Sequence, residues 1–237
     1  MSYTYRGANS SYSRALDQDM ARIFLQRVYF IMSIGLMITG AVAWYCGDFN
    51  QAISIKLAPY MFPLIILQFG MVIGLSFFIQ KMSKDMAKVL FILYSFTMGL
   101  TLSTIFLIYT QGSIFSTFLT CSALFASVAT YGAITKKDLT GVGHFLGMGL
   151  WGLIIASVVN MFIHSTFMEQ MITYIGVIIF TGLTAYDTQK LLKIGATLNG
   201  ANDDIQEKSV IMGALTLYLD FINLFLMLLR ILGNRRS

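Results

Sequence analysis

The chain has 237 residues, of which 57% are hydrophobic, 14% aromatic and only 11% charged. That balance excludes a soluble domain of this size and points to a polytopic membrane protein. The net charge of +5 is dispersed between apolar runs, which reads as loops near anionic lipid rather than a nucleic-acid patch.

Residues 1–22 are polar, with Arg6, Arg14, Arg22, Asp17 and Asp19. The stretch is too long and too acidic for the start of a signal peptide, so it is expected to be a retained cytosolic tail. A single transmembrane domain is expected over 23–237. Its apolar runs fall at 24–46, 58–80, 87–109, 113–134, 145–163, 171–192 and 209–232, each close to the ~20 residues of a spanning helix. The third and fourth are separated by Thr110, Gln111 and Gly112, which predicts a tight helical hairpin.

Charge counting orients the spans. The tail and the second, fourth and sixth loops hold eleven Lys and Arg, the first loop only Lys56, and the third and fifth none. Basic loops face the cytoplasm, so the N-terminus is expected inside. Arg230, Arg235 and Arg236 run against this rule, because a seventh span leaves them outside.

Cys46 and Cys121 fall near the end of one run and inside another, with no CxxC or Cys/His cluster. Two small apolar side chains are the better reading than a disulfide or a structural metal. GMGLWG (Gly147 to Gly152) has the GxGxxG form but lies within an apolar run. Close helix packing is therefore expected there, not a dinucleotide loop. His144 and His164 bracket the fifth run, about 30 Å apart on one helix, too far to share a metal.

Two aspartates stand out among eleven acidic residues, because Asp187 and Asp220 alone lie inside spanning segments. No lysine or arginine occupies the middle of any run. A carboxylate in that position stays protonated, shares a proton or holds a cation. On the seventh run Ser209, Gly213, Thr216, Asp220, Asn223, Met227 and Arg230 recur at alternating steps of four and three, which places them on one side of a helix. A narrow polar line on an otherwise apolar helix suits a central position in a bundle. Thr173, Gly176, Thr184 and Asp187 share a face of the sixth run in the same way. Simple counting offsets the two aspartates by several ångströms along the membrane normal.

Two readings of the aspartates stand side by side. Each could be a hydrogen-bonded link between helices, to Thr or Asn. Together they could form a carboxylate pair beside a water-filled path, supported by Thr184, Thr216 and Asn223. Two such groups at close range do not both ionise easily and titrate as a unit. With both ionised, Asp187 and Asp220 form a hard, oxygen-rich site suited to Ca²⁺. An intramembrane aspartyl protease is disfavoured: AYD would pass for half of its signature, but LYLD lacks the GxGD glycines and no Pro-Ala-Leu follows. No enzyme activity, cofactor or nucleic-acid partner is expected.

The segments FTGLTAYDTQKL, ALTLYLDFINLFLMLLRILG, LYSFTMGLTLSTIFLIYT, YGAITKKDLTGVGHFLGMGLWGLIIAS and LQRVYFIMSIGLMITGAVAWY resemble the bacterial, YccA-like branch of the Bax inhibitor family, the transmembrane Bax-inhibitor-motif proteins. The likeness covers nearly the whole chain after the tail. It implies an all-α integral membrane protein of seven helices, the last central and wrapped by the other six, in a bacterial inner membrane. It also implies a pH-sensitive calcium leak controlled by a di-aspartyl pair, which maps onto Asp187 and Asp220. The alternative it carries is a non-catalytic partner that modulates a membrane protease, with the polar tail as the handle. A proton-coupled transporter is a third option. Two departures stand out. Where some members have a latching arginine in the second span, this chain has only Gln68 and Gln80, with Lys81 at the edge. The Gly-Pro of the eukaryotic third span is absent after Gly99.

Overall fold

A computed structural model of the protein describes residues 3–198 and 200–236. Residues 1, 2, 199 and 237, which the expected tail and membrane domain include, lie outside the described residues. The architecture is all-α, and seven helical segments are long and apolar enough to cross a membrane.

The first, α1 (Tyr3–Trp44), has 42 residues and is about 63 Å long, roughly twice a bilayer's ~30 Å hydrocarbon core. The polar stretch from Tyr3 is thus a helical extension of the first span. A π turn over Tyr45–Phe49 ends it. The second span is stepped: α2 (Gln51–Leu57), a 3₁₀ turn at Ala58–Tyr60, then α3 (Met61–Phe78). Pro59 and Pro63 sit in the first turns of these pieces, where an amide hydrogen has no helical partner to lose.

The third span is α4 (Lys84–Leu102), a break at Ser103 and Thr104, and α5 (Ile105–Ile108). At the break Ser103 Oγ donates to Leu100 O at 2.6 Å and receives Ser54 Oγ at 2.9 Å. The hairpin to α6 (Gln111–Ile134) is tighter than expected, because Thr110 itself caps α6. The remaining spans are α7 (Thr140–Ile163), α8 (Thr166–Thr197) and α9 (Asp203–Leu232). Each of these three starts some five residues before its apolar run. Polar residues supply the extra turns, and Ser165 and Asn202 cap α8 and α9 by accepting from Met168 N and Asp204 N. His164 ends α7 in the left-handed region with φ 54°, so the turn to α8 takes two residues.

Alternating helices leave two ends. Lys81, Lys84, Lys136, Lys137, Lys193 and the start of α9 share the basic end. The C-terminal residues lie at the other, where Arg236 N donates to Ile108 O at 2.8 Å and its guanidinium lies 3.9 Å from Asp48. α9 is the most enclosed span: 67% of its apolar stretch is buried, against 11% for α7. Its extensive packing is with α1, α4, α6 and α8, while α3 lies mainly on α4 and α7 on α8. Ion pairs hold the foot of α9 to its neighbours. Glu207 joins both Arg27 of α1 and Lys88 of α4, and Asp203 takes Lys84 at 2.5 Å.

Candidate functional site: an aspartate pair between two helices

The register between α8 and α9 is set by small residues. Leu191 packs over Gly213, and Met227 packs over Gly176. Counting from the first contact, Asp187 lies about 6 Å and Asp220 about 10 Å toward the end away from the lysines. The remaining offset is closed by the side chains. Each Cα–Cβ bond tilts toward its own helix N-terminus. In an antiparallel pair the lower Asp187 therefore leans up and the higher Asp220 leans down.

The two carboxyls come close enough to act on each other across the interface, while their Cα atoms keep an offset of about 4 Å along the helices. Two carboxylates at such range do not both ionise easily, so a proton held between them would let them stay adjacent. Asp220 is buried, and its Oδ2 has no hydrogen-bond partner among the described residues.

Asp187 differs from Asp220 in its access. It lines a cavity of about 290 Å³ at the basic end, together with Gln80, Lys190, Lys208, Ser209 and Thr216. Asp220 stands behind it, outside that lining. The pair thus borders a cavity of mixed lining, with Ile79, Leu191 and Ile205 beside the polar groups, on one side and the sealed interior on the other. Lys190 lies beside Asp187 but turns its ammonium over the Tyr186 ring at 5.8 Å, and Lys208 is engaged by Asp204 at 2.6 Å. Neither reaches the carboxyls.

The residues expected to support the dyad bond elsewhere. Thr184 Oγ1 donates to Phe180 O at 2.8 Å, Thr216 Oγ1 to Met212 O at 3.0 Å, and Asn223 Nδ2 to Leu219 O at 2.8 Å. All three satisfy themselves on their own helix, as hydroxyl and amide groups in apolar helices do. Among the described residues no hydrogen bond joins these three to Asp187 or Asp220; the side chain acting on each aspartate across the interface is the other aspartate. Thr216 does line the cavity next to Asp187.

Sequence reasoning passed over a second polar layer. Tyr218, two residues before Asp220, bonds Thr39 of α1 at 2.7 Å, and Thr39 donates to Ser95 O of α4 at 2.8 Å. Phe91 and Tyr94 stand edge-on to the Tyr218 ring, so one buried phenol ties three helices together. Its signal was Thr39, one of two small hydroxyl residues, with Ser33, in the middle of the first run. Gln189 was also missed. It accepts from Leu139 N at 2.9 Å and donates to Lys137 O at 2.8 Å, fixing the α6–α7 loop two residues from Asp187.

Gln68 donates to Thr101 Oγ1 at 2.7 Å, away from the dyad, whereas Gln80 lines the cavity. Cys46 and Cys121 are free and buried. Of the glycines in GMGLWG, only Gly149 meets a neighbour, Ile179; Gly147 and Gly152 face open space. The close approach of α7 to α8 is made one turn earlier, where Gly143 lies against the Tyr186 ring. That corrects the packing role expected for the motif, because α7 has only one extensively contacting partner and most of its surface looks outward. No cluster of three or more His, Cys, Asp or Glu occurs among the described residues. Two carboxyls supply fewer oxygens than the six to eight that Ca²⁺ takes, so an ion held there would keep water or borrow backbone carbonyls.

Comparisons with known proteins agree with the geometry in naming a membrane protein. The chain is 48% identical over 215 residues to the inner membrane protein YbhL of Escherichia coli, covering 90% of this chain and 92% of that one. It is 46% identical over 217 residues to an uncharacterised protein of Borreliella burgdorferi, covering 90% and 93%. To the uncharacterised protein RP147 of Rickettsia prowazekii it is 40% identical over 242 residues, covering 99% of each. The family model for inhibitor of apoptosis-promoting Bax1 matches residues 21–237, and the chain belongs to the Bax inhibitor family.

Proposed function

We propose that this chain is a calcium leak of a bacterial inner membrane, gated by protonation of the Asp187–Asp220 pair. The observation that carries the reading is the contact between two carboxyls at the floor of a cavity. Sharing a proton, the pair closes the floor. Losing it, the carboxylates repel each other and need water or a cation. Ca²⁺ suits a pair of hard oxygen donors, and their small number favours passage over storage.

The membrane assignment draws on the E. coli relative's name, and the orientation on the basic end, which we place in the cytoplasm. Purified protein in liposomes loaded with a calcium indicator tests the proposal. Ca²⁺ entry faster than in protein-free liposomes is expected; equal rates would end it. In that case the helical extension of α1 beyond the first span favours the second reading, a partner of a membrane protease, which co-purification with such a protease would support.

A further inference from the structure

The polar face of α9 borders a second cavity. It measures about 400 Å³, lies at the end away from the lysines between α7, α8 and α9, and is lined by Ser157, Asn160, His164, Glu169, Met227 and Arg230 among others. The same face of α9 serves both cavities. Ser209, Gly213 and Thr216 line the first, Asp220 meets Asp187 beyond them, and Met227 and Arg230 line the second. Of that stripe only Asn223 stands between the dyad and the far cavity. α8 repeats the arrangement: Asp187 lines the first cavity and Glu169, eighteen residues earlier, lines the second. Eighteen residues is about five full turns, so the two acids share one face.

The two cavities are unequally distant from the dyad. Asp187 is itself part of the first cavity's wall. Asp220 and Met227 are seven residues apart, about 10 Å of helix. Across that interval Met227 lies on Gly176: a Cβ added to the glycine would stand 3.1 Å from Met227 Sδ and 3.2 Å from its Cε and Cγ. A thioether on a bare patch of backbone closes the interface without a polar contact. Methionine is also the apolar side chain best able to swing aside while both helices stay in place.

We propose that Met227 seated on Gly176 is a second barrier of the same path, closed by apolar contact rather than by a proton, and that the far cavity is the path's outer mouth. The proposal rests on reading the α8–α9 interface as the ion path. It assigns that path a definite exit, with both signs of charge, Glu169 and Arg230, at a wet rim.

Thiol access tests the barrier without measuring calcium. Cys46→Ala and Cys121→Ala provide the background, and a membrane-impermeant thiosulfonate is applied to vesicles from the side opposite the lysine loops. Arg230→Cys should react quickly and Asn223→Cys slowly. Adding Met227→Ala should speed modification of Asn223→Cys by roughly tenfold or more, since removing the thioether joins the interval at Asn223 to the far cavity. Adding Met227→Leu, of similar volume, should leave it slow. An unreactive Arg230→Cys, or no acceleration by Met227→Ala in folded protein, overturns the proposal. Met227→Val supplies the same comparison should the alanine chain not fold. Accelerated access without Ca²⁺ flux would retain the two-barrier path and remove calcium as its cargo. Ca²⁺ flux with unchanged access would place the path elsewhere.

Discussion

Gly213 of α9 carries Leu191 of α8 directly on its backbone: a Cβ at 213 would stand 2.7 Å from Leu191 Cδ2 and 3.0 Å from Val28 Cγ2. Both neighbours are buried. This contact sets the height of Asp220 against Asp187, two turns further along α9 and one along α8.

Gly213→Ala should therefore destabilise the protein. Overpacking costs about 1–3 kcal/mol, and the helix propensity gained from glycine, about 1 kcal/mol, offsets only part of it. Gly70→Ala is the matched control, because a Cβ there meets nothing within 4 Å, and it should hold or raise the melting temperature in detergent. Equal responses at the two positions would show that Leu191 simply rotates away.

Glu207 is a junction rather than an ordinary surface acid. Its side chain is 13% exposed and serves Arg27 and Lys88 together, with Lys88 Nζ at 2.7 Å. Glu207→Gln should cost up to about 1 kcal/mol, since Arg27 and Lys88 are half-exposed and stay solvated without it. Lys88→Gln should cost less, because Arg27 keeps its partner. A double-mutant cycle measures the coupling; strict additivity would mean the three charges do not act as a unit.

At the basic end Asp138 accepts from Lys193 Nζ at 2.6 Å and from Thr140 Oγ1 at 2.7 Å. The Lys193 bond is the main cause that holds its pKa down at about 2, with Thr140 next. A lowered folded-state value contributes stability above the ordinary carboxylate range, lost as pH falls through about 2. Because the pair is exposed the contribution is small. A carboxyl titration by NMR should show the Asp138 midpoint rising toward the ordinary aspartate value in Lys193→Gln. No movement would leave Thr140 as the whole cause.

The seven spans were legible because a stretch of some twenty apolar residues has little alternative to crossing a membrane as a helix. The aspartates were legible for the complementary reason, that acids are expensive there. Their contact was not, because counting places Cα atoms while the contact depends on which way Cβ leans in an antiparallel pair. Nor does a sequence show that Thr184, Thr216 and Asn223 would choose their own helix carbonyls, since a hydroxyl has that option in any helix. The Tyr218–Thr39–Ser95 layer was hidden differently: its members are 179 and 56 residues apart, and no local pattern relates them. GMGLWG misled because small residues permit close packing without causing it.

Of the C-terminal arginines, which ran against the charge rule, Arg236 has a local explanation. Arg236 lies beside Asp48, and Asn234 N donates to Ser113 Oγ at 2.9 Å. Both ties bind the tail, to the first turn of α6 and to the π turn, at the end away from the lysines. Reporters in the second, fourth and sixth loops should read cytoplasmic, and those at Lys56 and the C-terminus external. A C-terminus on the same side as the fourth loop would contradict the structure, whereas a reversal of all readings would contradict only the orientation.

The dyad makes the sharpest prediction, because two adjacent carboxyls do not both ionise easily and neither forms an ion pair among the described residues. In the proposed gate, Asp187 and Asp220 share a proton at low pH and the floor of the cavity stays shut. As pH rises and the shared proton leaves, the second negative charge is left with no cationic partner near Asp220, so repulsion and the need for solvent drive the carboxyls apart. Ca²⁺ flux into liposomes should accordingly increase with pH. Asp220→Asn removes the charge from the sealed side, where a dehydrating ion needs it most, and should lower flux even at high pH. Asp187→Asn leaves that charge in place but abolishes the like-charge repulsion and the shared proton. It should flatten the pH response while sparing more of the flux. An amide can still bond a carboxyl, so both variants should fold, which gel filtration and melting temperature in detergent would verify. If both folded variants keep the wild-type pH profile, the pair is a structural link between α8 and α9 and the gate lies elsewhere.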